Sequence, residues 1–211
     1  MGDWWRKGGH YFSKKSETLM GAGVYRTIME RPAAIALLRQ YVQGDALVKH
    51  CLATGAVMKA SAKFFSEDPA RWEEIGILHD IDFEVIRGDM QQHGIAGAGI
   101  LKNAGIPDDI CEVVQRHNHH LHAGTYDRPV EIALQAADSV SGLIIACALV
   151  KGGHLSDVSA KTITKKAKEK SFAAGCDRNR IALIAPLMDV PVFYEYALLG
   201  LMEIRTELGL A

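Results

Sequence analysis

Charge imbalance is missing from this sequence, in which 24 Lys and Arg stand against 25 Asp and Glu over 211 residues. A formal charge of −1 creates no global field toward nucleic acid or an anionic membrane, so neither is expected as a partner. Cysteine is scarce and scattered. Cys51, Cys111, Cys147 and Cys176 lack the close pairs of a zinc ribbon or a redox motif and read as small buried hydrophobes. No apolar run follows the basic residues of "MGDWWRKGGHYFSKK", so a secretory signal is not expected, and the longest apolar stretch, "GLIIACALV", is too short to span a bilayer. These absences make the cytoplasm the expected compartment. Alternation of apolar and polar residues, the mark of a half-buried strand, occurs over no useful length, and there is neither an internal repeat nor a low-complexity tract.

What is present is helical periodicity with start and stop signals, in a chain whose 48% hydrophobic content suffices for one core. Arg31-Pro32 opens a helix to about Val42. Asp45 is placed to cap a long helix through Phe65, with Leu47, His50, Thr54, Val57, Ser61 and Phe64 on one buried face. Asp68-Pro69 starts a helix that carries "GILHDIDFE". Another runs from about Met90 to Gly105, and "PDDICEVVQRH" begins the next with proline and two acids. A loop, "HNHHLHAGTYDRP", precedes a long apolar helix from Arg128 to Val150, and Ser156–Lys170, Asp177–Met188 and Val192–Leu208 follow as helices. The expected fold is all-α, a helical bundle divided as an N-terminal extension (1–30), a core (31–150) and C-terminal helices packed on that core (151–211). "FYEYALLGLM" in the last helix suits either the core or a homodimer contact. The N-terminal aromatic and basic residues are compatible with a nucleobase or phosphate contact but read as a loosely docked terminus.

The adjacent His79 and Asp80 pose the chemical question, because they follow residues that read as helix interior and a buried carboxylate requires a partner. His50, His79, Asp80, His93, His117 and Asp138 all have apolar or small neighbours three and four positions away. Read as inward-facing, they aim imidazoles and carboxylates from four helices at one interior, the way bundles build metal sites. Three glycines in "HGIAGAGIL" weaken that helix by roughly 1 kcal/mol each relative to alanine, which close approach to a crowded centre would offset. His10, His119, His122 and His154 read as ordinary solvated or core histidines.

On these residues the chain resembles the HD superfamily of metal-dependent phosphohydrolases, an HD-domain helical bundle. The family pattern H…HD…D matches His50, His79-Asp80 and Asp138, over roughly residues 45–150. Members with two metals add two histidines, matched by His93 and His117, although "RHNHH" leaves a neighbour of His117 open as the ligand. The resemblance implies a dinuclear centre bridged by the catalytic Asp80, with a metal-bridging hydroxide attacking a phosphate ester or phosphoanhydride of a small molecule such as a nucleotide. Nitrogen-rich ligation without thiolate suits iron, manganese, nickel or zinc, and the resemblance favours iron or manganese.

His120 and Arg128, in the loop expected to overhang the metals, are the candidate substrate anchors. Lys49 and Arg116, each beside a ligand, point about 100° away from it and read as solvated or salt-bridged. The branch that cleaves cyclic dinucleotides has a lysine where this chain has Phe83, and a Gly-Tyr-Pro triad this chain lacks, so that substrate is not expected. Asp82 and Glu84 make the neighbouring strip acidic, which disfavours highly charged substrates unless the two also hold a cation or are turned away. Two other readings remain: an HD-type di-iron oxygenase acting on a hydroxylated or phosphonate substrate, and a binding module that kept the fold without turnover.

Overall fold

A computed structural model describes residues 29–122 and 126–211. The expectations for residues 1–28, including the aromatic and basic segment and His10, lie outside the described residues. Within them the fold is all-α, with no strand. The helices are α1 (Arg31–Tyr41), α2 (Asp45–Phe64), α3 (Pro69–Leu78), α4 (Ile95–Asn103), α5 (Asp108–Arg116), α6 (His119–His122), α7 (Pro129–Leu149), α8 (Ala160–Ala167), α9 (Arg178–Ala182), α10 (Val190–Glu203) and α11 (Arg205–Leu208), with a 3₁₀ turn at Leu155–Asp157.

Local chemistry explains most of these boundaries. Asp68 accepts from the backbone N–H groups of Ala70 and Arg71 ahead of Pro69, and Ser159 and Asp177 cap α8 and α9 in the same way. At α7 the Arg128 backbone N–H donates to the Glu131 carboxylate, which closes a capping box. Gly44, not Asp45, is the N-cap of α2; Asp45 is its first helical residue, where its charge still suits the positive end of the helix.

The centre of the bundle is α2, which packs on α3, α7 and α10. It is buried on nearly every side along its middle, so the expected single stripe is too narrow, and Phe64 at its end is exposed. Two close crossings make this possible. A Cβ on Gly76 would lie 2.6 Å from the Gly55 Cα, and one on Gly200 would lie 2.3 Å from the Ala56 carbonyl oxygen. Glycine at these positions lets α3 and α10 rest directly on the α2 backbone. Helix α7 has the length and apolarity to cross a membrane, but 67% of its apolar window is buried inside the bundle. Cys51, Cys111 and Cys147 are buried and Cys176 is half-buried, and among the described residues they form no disulfide.

Several boundaries differ from expectation. Helix α3 stops at Leu78, so the His79-Asp80 pair sits at its C-cap and in the turns that follow, not inside the helix. Helix α4 starts at Ile95 instead of Met90 because Gly94 takes a positive φ of 80°, closed to a helix. The expected last helix breaks at Ile204 into α10 and α11, and the segment expected as one helix from Asp177 is helical only over Arg178–Ala182 before turns. The loop after His117 contains one helical turn, α6.

Candidate metal centre

Only His50, on α2, and Asp138, on α7, project from within helices. His79 and His117 are the C-cap residues of α3 and α5, and His93 lies in the turns before α4. Four inward helix faces is therefore not the arrangement, and helix termini offer something a face does not. The last turn of a helix has carbonyls without helical partners. His79 Nδ1 donates to the Gly76 carbonyl (2.8 Å) and His117 Nδ1 to the Val114 carbonyl (2.5 Å), each three residues back. A carbonyl accepts only, so Nδ1 carries the proton in both rings and Nε2 of the neutral ring presents a lone pair.

His93 reaches the same tautomer through a carboxylate. Its Nδ1 donates to Asp82 (2.9 Å), whose other oxygen accepts from the backbone N–H of Gly94 (2.8 Å) and Gly97 (2.7 Å). Asp82 is fully buried, and its pKa lies below the ordinary value: burial opposes ionisation, but the bonds from His93 and the two amides outweigh it. A Cβ on Gly97 would meet that carboxylate at 3.2 Å, and one on Gly94 would lie 2.7 Å from the Gln115 carbonyl. Crowding thus accounts for two of the glycines in "HGIAGAGIL", while Gly99 faces open space. Asn118 donates to the carbonyls of Met90 and His93, fastening the His93 turn to the end of α5.

All of these rings meet at Asp80. Its Oδ2 lies 3.6 Å from His50 Nε2 and 3.4 Å from His79 Nε2, while Oδ1 lies 3.4 Å from His93 Nε2 and 3.3 Å from His117 Nε2. His93 and His117 bring their Nε2 atoms to 3.0 Å of each other. Asp138 joins on the Oδ2 side, with its Oδ1 3.1 Å from His50 Nε2. The ligand atoms of His50, His79 and Asp80 lie within 4.8 Å of one another, as do those of Asp80, His93 and His117. Within "RHNHH" it is His117 that the fold brings to Asp80; His119 and His120 stand on α6, with their rings 4.1 Å apart.

Lone pairs and carboxylates converging without protons to share require a positive charge between them. Among the described residues the buried His79 Nε2 atom has no hydrogen-bond partner, which a cation would supply. Without a cation the centre attracts protons at one ring: burial opposes charge on His93, yet the Asp80 and Asp82 carboxylates outweigh it and push its pKa up to about 9. His79, fully buried, is lowered to about 4 by desolvation. Asp80 and Asp138 lie well below the usual carboxylate range, because their histidine neighbours, joined at Asp138 by Arg180, outweigh burial. The donor set therefore fits divalent cations bound by imidazole and carboxylate.

The expected substrate anchors are placed elsewhere. Arg128 binds Glu112 and Glu131 at the start of α7, and His120 is exposed on α6 with its backbone N–H donated to Asn118 Oδ1. Neither is brought into the cluster. Arg116 also binds Glu131. Glu84 is turned away from the centre, accepting from the N–H groups of Gln43 and Gly44, and Asp82 is consumed by His93, so the acidic strip does not face a substrate. Sequence reasoning missed Gln135 and Arg180. Gln135 stands one helical turn before Asp138 and could have been found from that spacing; Arg180 lies 42 residues beyond it with no local signal.

Residues 47–143 match the family model of the HD domain. No curated protein and no solved structure matches the chain.

Proposed function

We propose, starting from an HD-domain protein of the metal-dependent hydrolase superfamily, that this chain cleaves a phosphate ester or phosphoanhydride of a small molecule, with nucleotides as the foremost class. The observation that carries the reading is the division of Asp80, one oxygen facing His50 and His79, the other facing His93 and His117. His50, His79, His93 and His117 with Asp80 and Asp138 would hold divalent cations, a donor set that suits several transition metals, and the family resemblance favours iron or manganese among them. Divalent ions held there supply activated water at neutral pH and offset the charge that builds on phosphoryl oxygens.

The residues of the chain provide the rest. The carbonyls of Gly76 and Val114, with Asp82, fix three imidazoles in the metal-ligating tautomer before any ion arrives. The side chains of His79, His93 and His117 are at most 6% exposed, whereas His50 is 28% and Asp138 18% exposed, so a substrate approaches past His50 and Asp138. Cys51 on α2 is no competing nucleophile: burial, then the Asp80 and Asp138 charges, raise its pKa well above the ordinary value and keep it protonated.

The test is to purify the protein with Mn²⁺ and offer a panel of phosphate esters and nucleotides under anaerobic conditions. Metal-dependent release of phosphate or nucleotide, absent in Asp80→Asn, is expected. Metal-loaded protein that leaves the whole panel intact would overturn the assignment. Oxygen uptake with a substrate and a mixed-valent iron pair would replace it with the oxygenase reading.

A further inference from the structure

Arg180 comes from α9, outside the matched segment 47–143, yet it reaches Asp138. Its Nη2 stands 2.6 Å from Asp138 Oδ2, as an ion pair and not an aligned hydrogen bond. Its Nε donates to Gln135 Oε1 (2.8 Å), and the Gln135 amide donates to the His117 carbonyl (2.8 Å). Gln135 is fully buried and Arg180 is 14% exposed. One guanidinium thus holds the remote oxygen of Asp138, leaving Oδ1 facing His50, and through one amide also grips the backbone of His117 on the other side of Asp80.

The segment that presents Arg180 is itself tied down. Arg178 donates to the carbonyls of Ala167, Phe172, Ala173 and Cys176, among them that of Ala173, which adopts a positive φ of 44°. Such a backbone persists where its surroundings over-determine it. Ile181, next to Arg180, is buried, and α9 packs on α7. Apart from its fastening to the cluster, nothing about α9 requires an arginine aimed inward, since a guanidinium that is mostly buried needs partners to offset its desolvation.

We infer that Arg180 is a positioning residue for the metal centre, contributed by the C-terminal helices, that fixes the Asp138 carboxylate and, through Gln135, the end of α5 at His117. This rests on the reading of the cluster as a cation site. The chemistry is that of an outer partner orienting a ligand, the loss of which costs about 10–100-fold in metal affinity.

The experiment is a titration of the metal-free full chain with Mn²⁺ alone, read by the electron paramagnetic resonance signal of the free ion, with the melting curve of each metal-free variant recorded alongside. Arg180→Met is expected to weaken uptake on the His50 and Asp138 side by about 10–100-fold, and Arg180→Lys, which keeps the charge but loses the fork, to fall between Met and wild type. If Arg180→Met fails to fold, Arg180→Lys decides alone: uptake weakened at least severalfold supports the role, and wild-type uptake overturns it. Unchanged uptake in an Arg180→Met protein with an unchanged melting curve likewise overturns it, leaving Arg180 a structural tie. Wild-type protein that takes up no Mn²⁺ overturns it as well. Wild-type protein that binds Mn²⁺ and loses it with Arg180, but hydrolyses no ester, supports the positioning role while removing the phosphohydrolase reading.

Discussion

The two sides of Asp80 are built differently. On one side His93 and His117 are buried, and most of their supports, Asp82, Gly94, Gly97, Val114 and Asn118, fall between residues 82 and 118, with Gln135 joining from α7 at the His117 carbonyl. On the other, His50 and Asp138 are partly exposed, come from α2 and α7, and are held from α9 by Arg180. The enclosed side is largely a local construction whose geometry is set by turns and helix ends. The open side is assembled from long-range packing, and it is the side a substrate would meet. A site arranged this way can keep one half rigid while the residues that shape access vary with distant parts of the chain.

Asp80 belongs to both sides, so Asp80→Asn gives the largest effect: it keeps the shape and removes the charge, and cation affinity should fall by about 100-fold or more on both sides. Elemental analysis of the purified variant checks this, and retention of a full metal complement would show that the two sides do not share the carboxylate. Gly76→Ala acts on the open side first. Its Cβ would press on the Gly55 backbone at 2.6 Å, and neither helix can yield without moving His79, whose ring is bonded to the Gly76 carbonyl. A loss of about 1–3 kcal/mol is expected, measured by denaturant unfolding of the metal-free protein.

Asp82→Asn tests the enclosed side alone. It removes the charge that orients His93 and should cost about 10–100-fold in the affinity of that side while sparing the other, visible as one weakened step in a Mn²⁺ titration. Equal weakening of both steps would erase the distinction between the two sides. The smallest effect serves as a control. Burial lifts the Glu74 carboxyl on α3 to about 7 from an ordinary value near 4.5. The folded state therefore keeps a proton that the unfolded chain releases, and this contribution to stability is full below about 4.5 and lost as the pH rises through about 7. Glu74→Gln should raise Tm by roughly a few degrees at pH 8 and by less at pH 5, without altering Mn²⁺ uptake. An equal shift at both pH values would show that Glu74 is not protonated in the fold.

Much of this was legible in the residues. The helices with strong start signals begin where local chemistry puts them, α1 with a proline in its first turn at Arg31-Pro32 and α3 and α9 after the caps Asp68 and Asp177, because such signals act within a few residues of themselves. The histidines and aspartates that gather at Asp80 were recognisable by type and by their apolar surroundings. Their mode of presentation was not: periodicity assigns a face to a residue in a helix but does not register that His79 and His117 stand one step past a helix end, bonded to its free carbonyls. Arg128 looked like an anchor from its place in a loop, and only the position of Glu131 and Glu112 shows it occupied.

By itself the amino-acid order determined the helical class and the set of groups able to bind a cation, since both follow from local periodicity and side-chain chemistry. Tertiary structure decided which oxygen of Asp80 faces which ring, that Asp82 serves His93 instead of repelling a substrate, and that Arg180 reaches a carboxylate 42 positions away. Those outcomes depend on how closely glycine-lined helices approach and on where a distant turn is pinned, quantities that no short window of sequence contains.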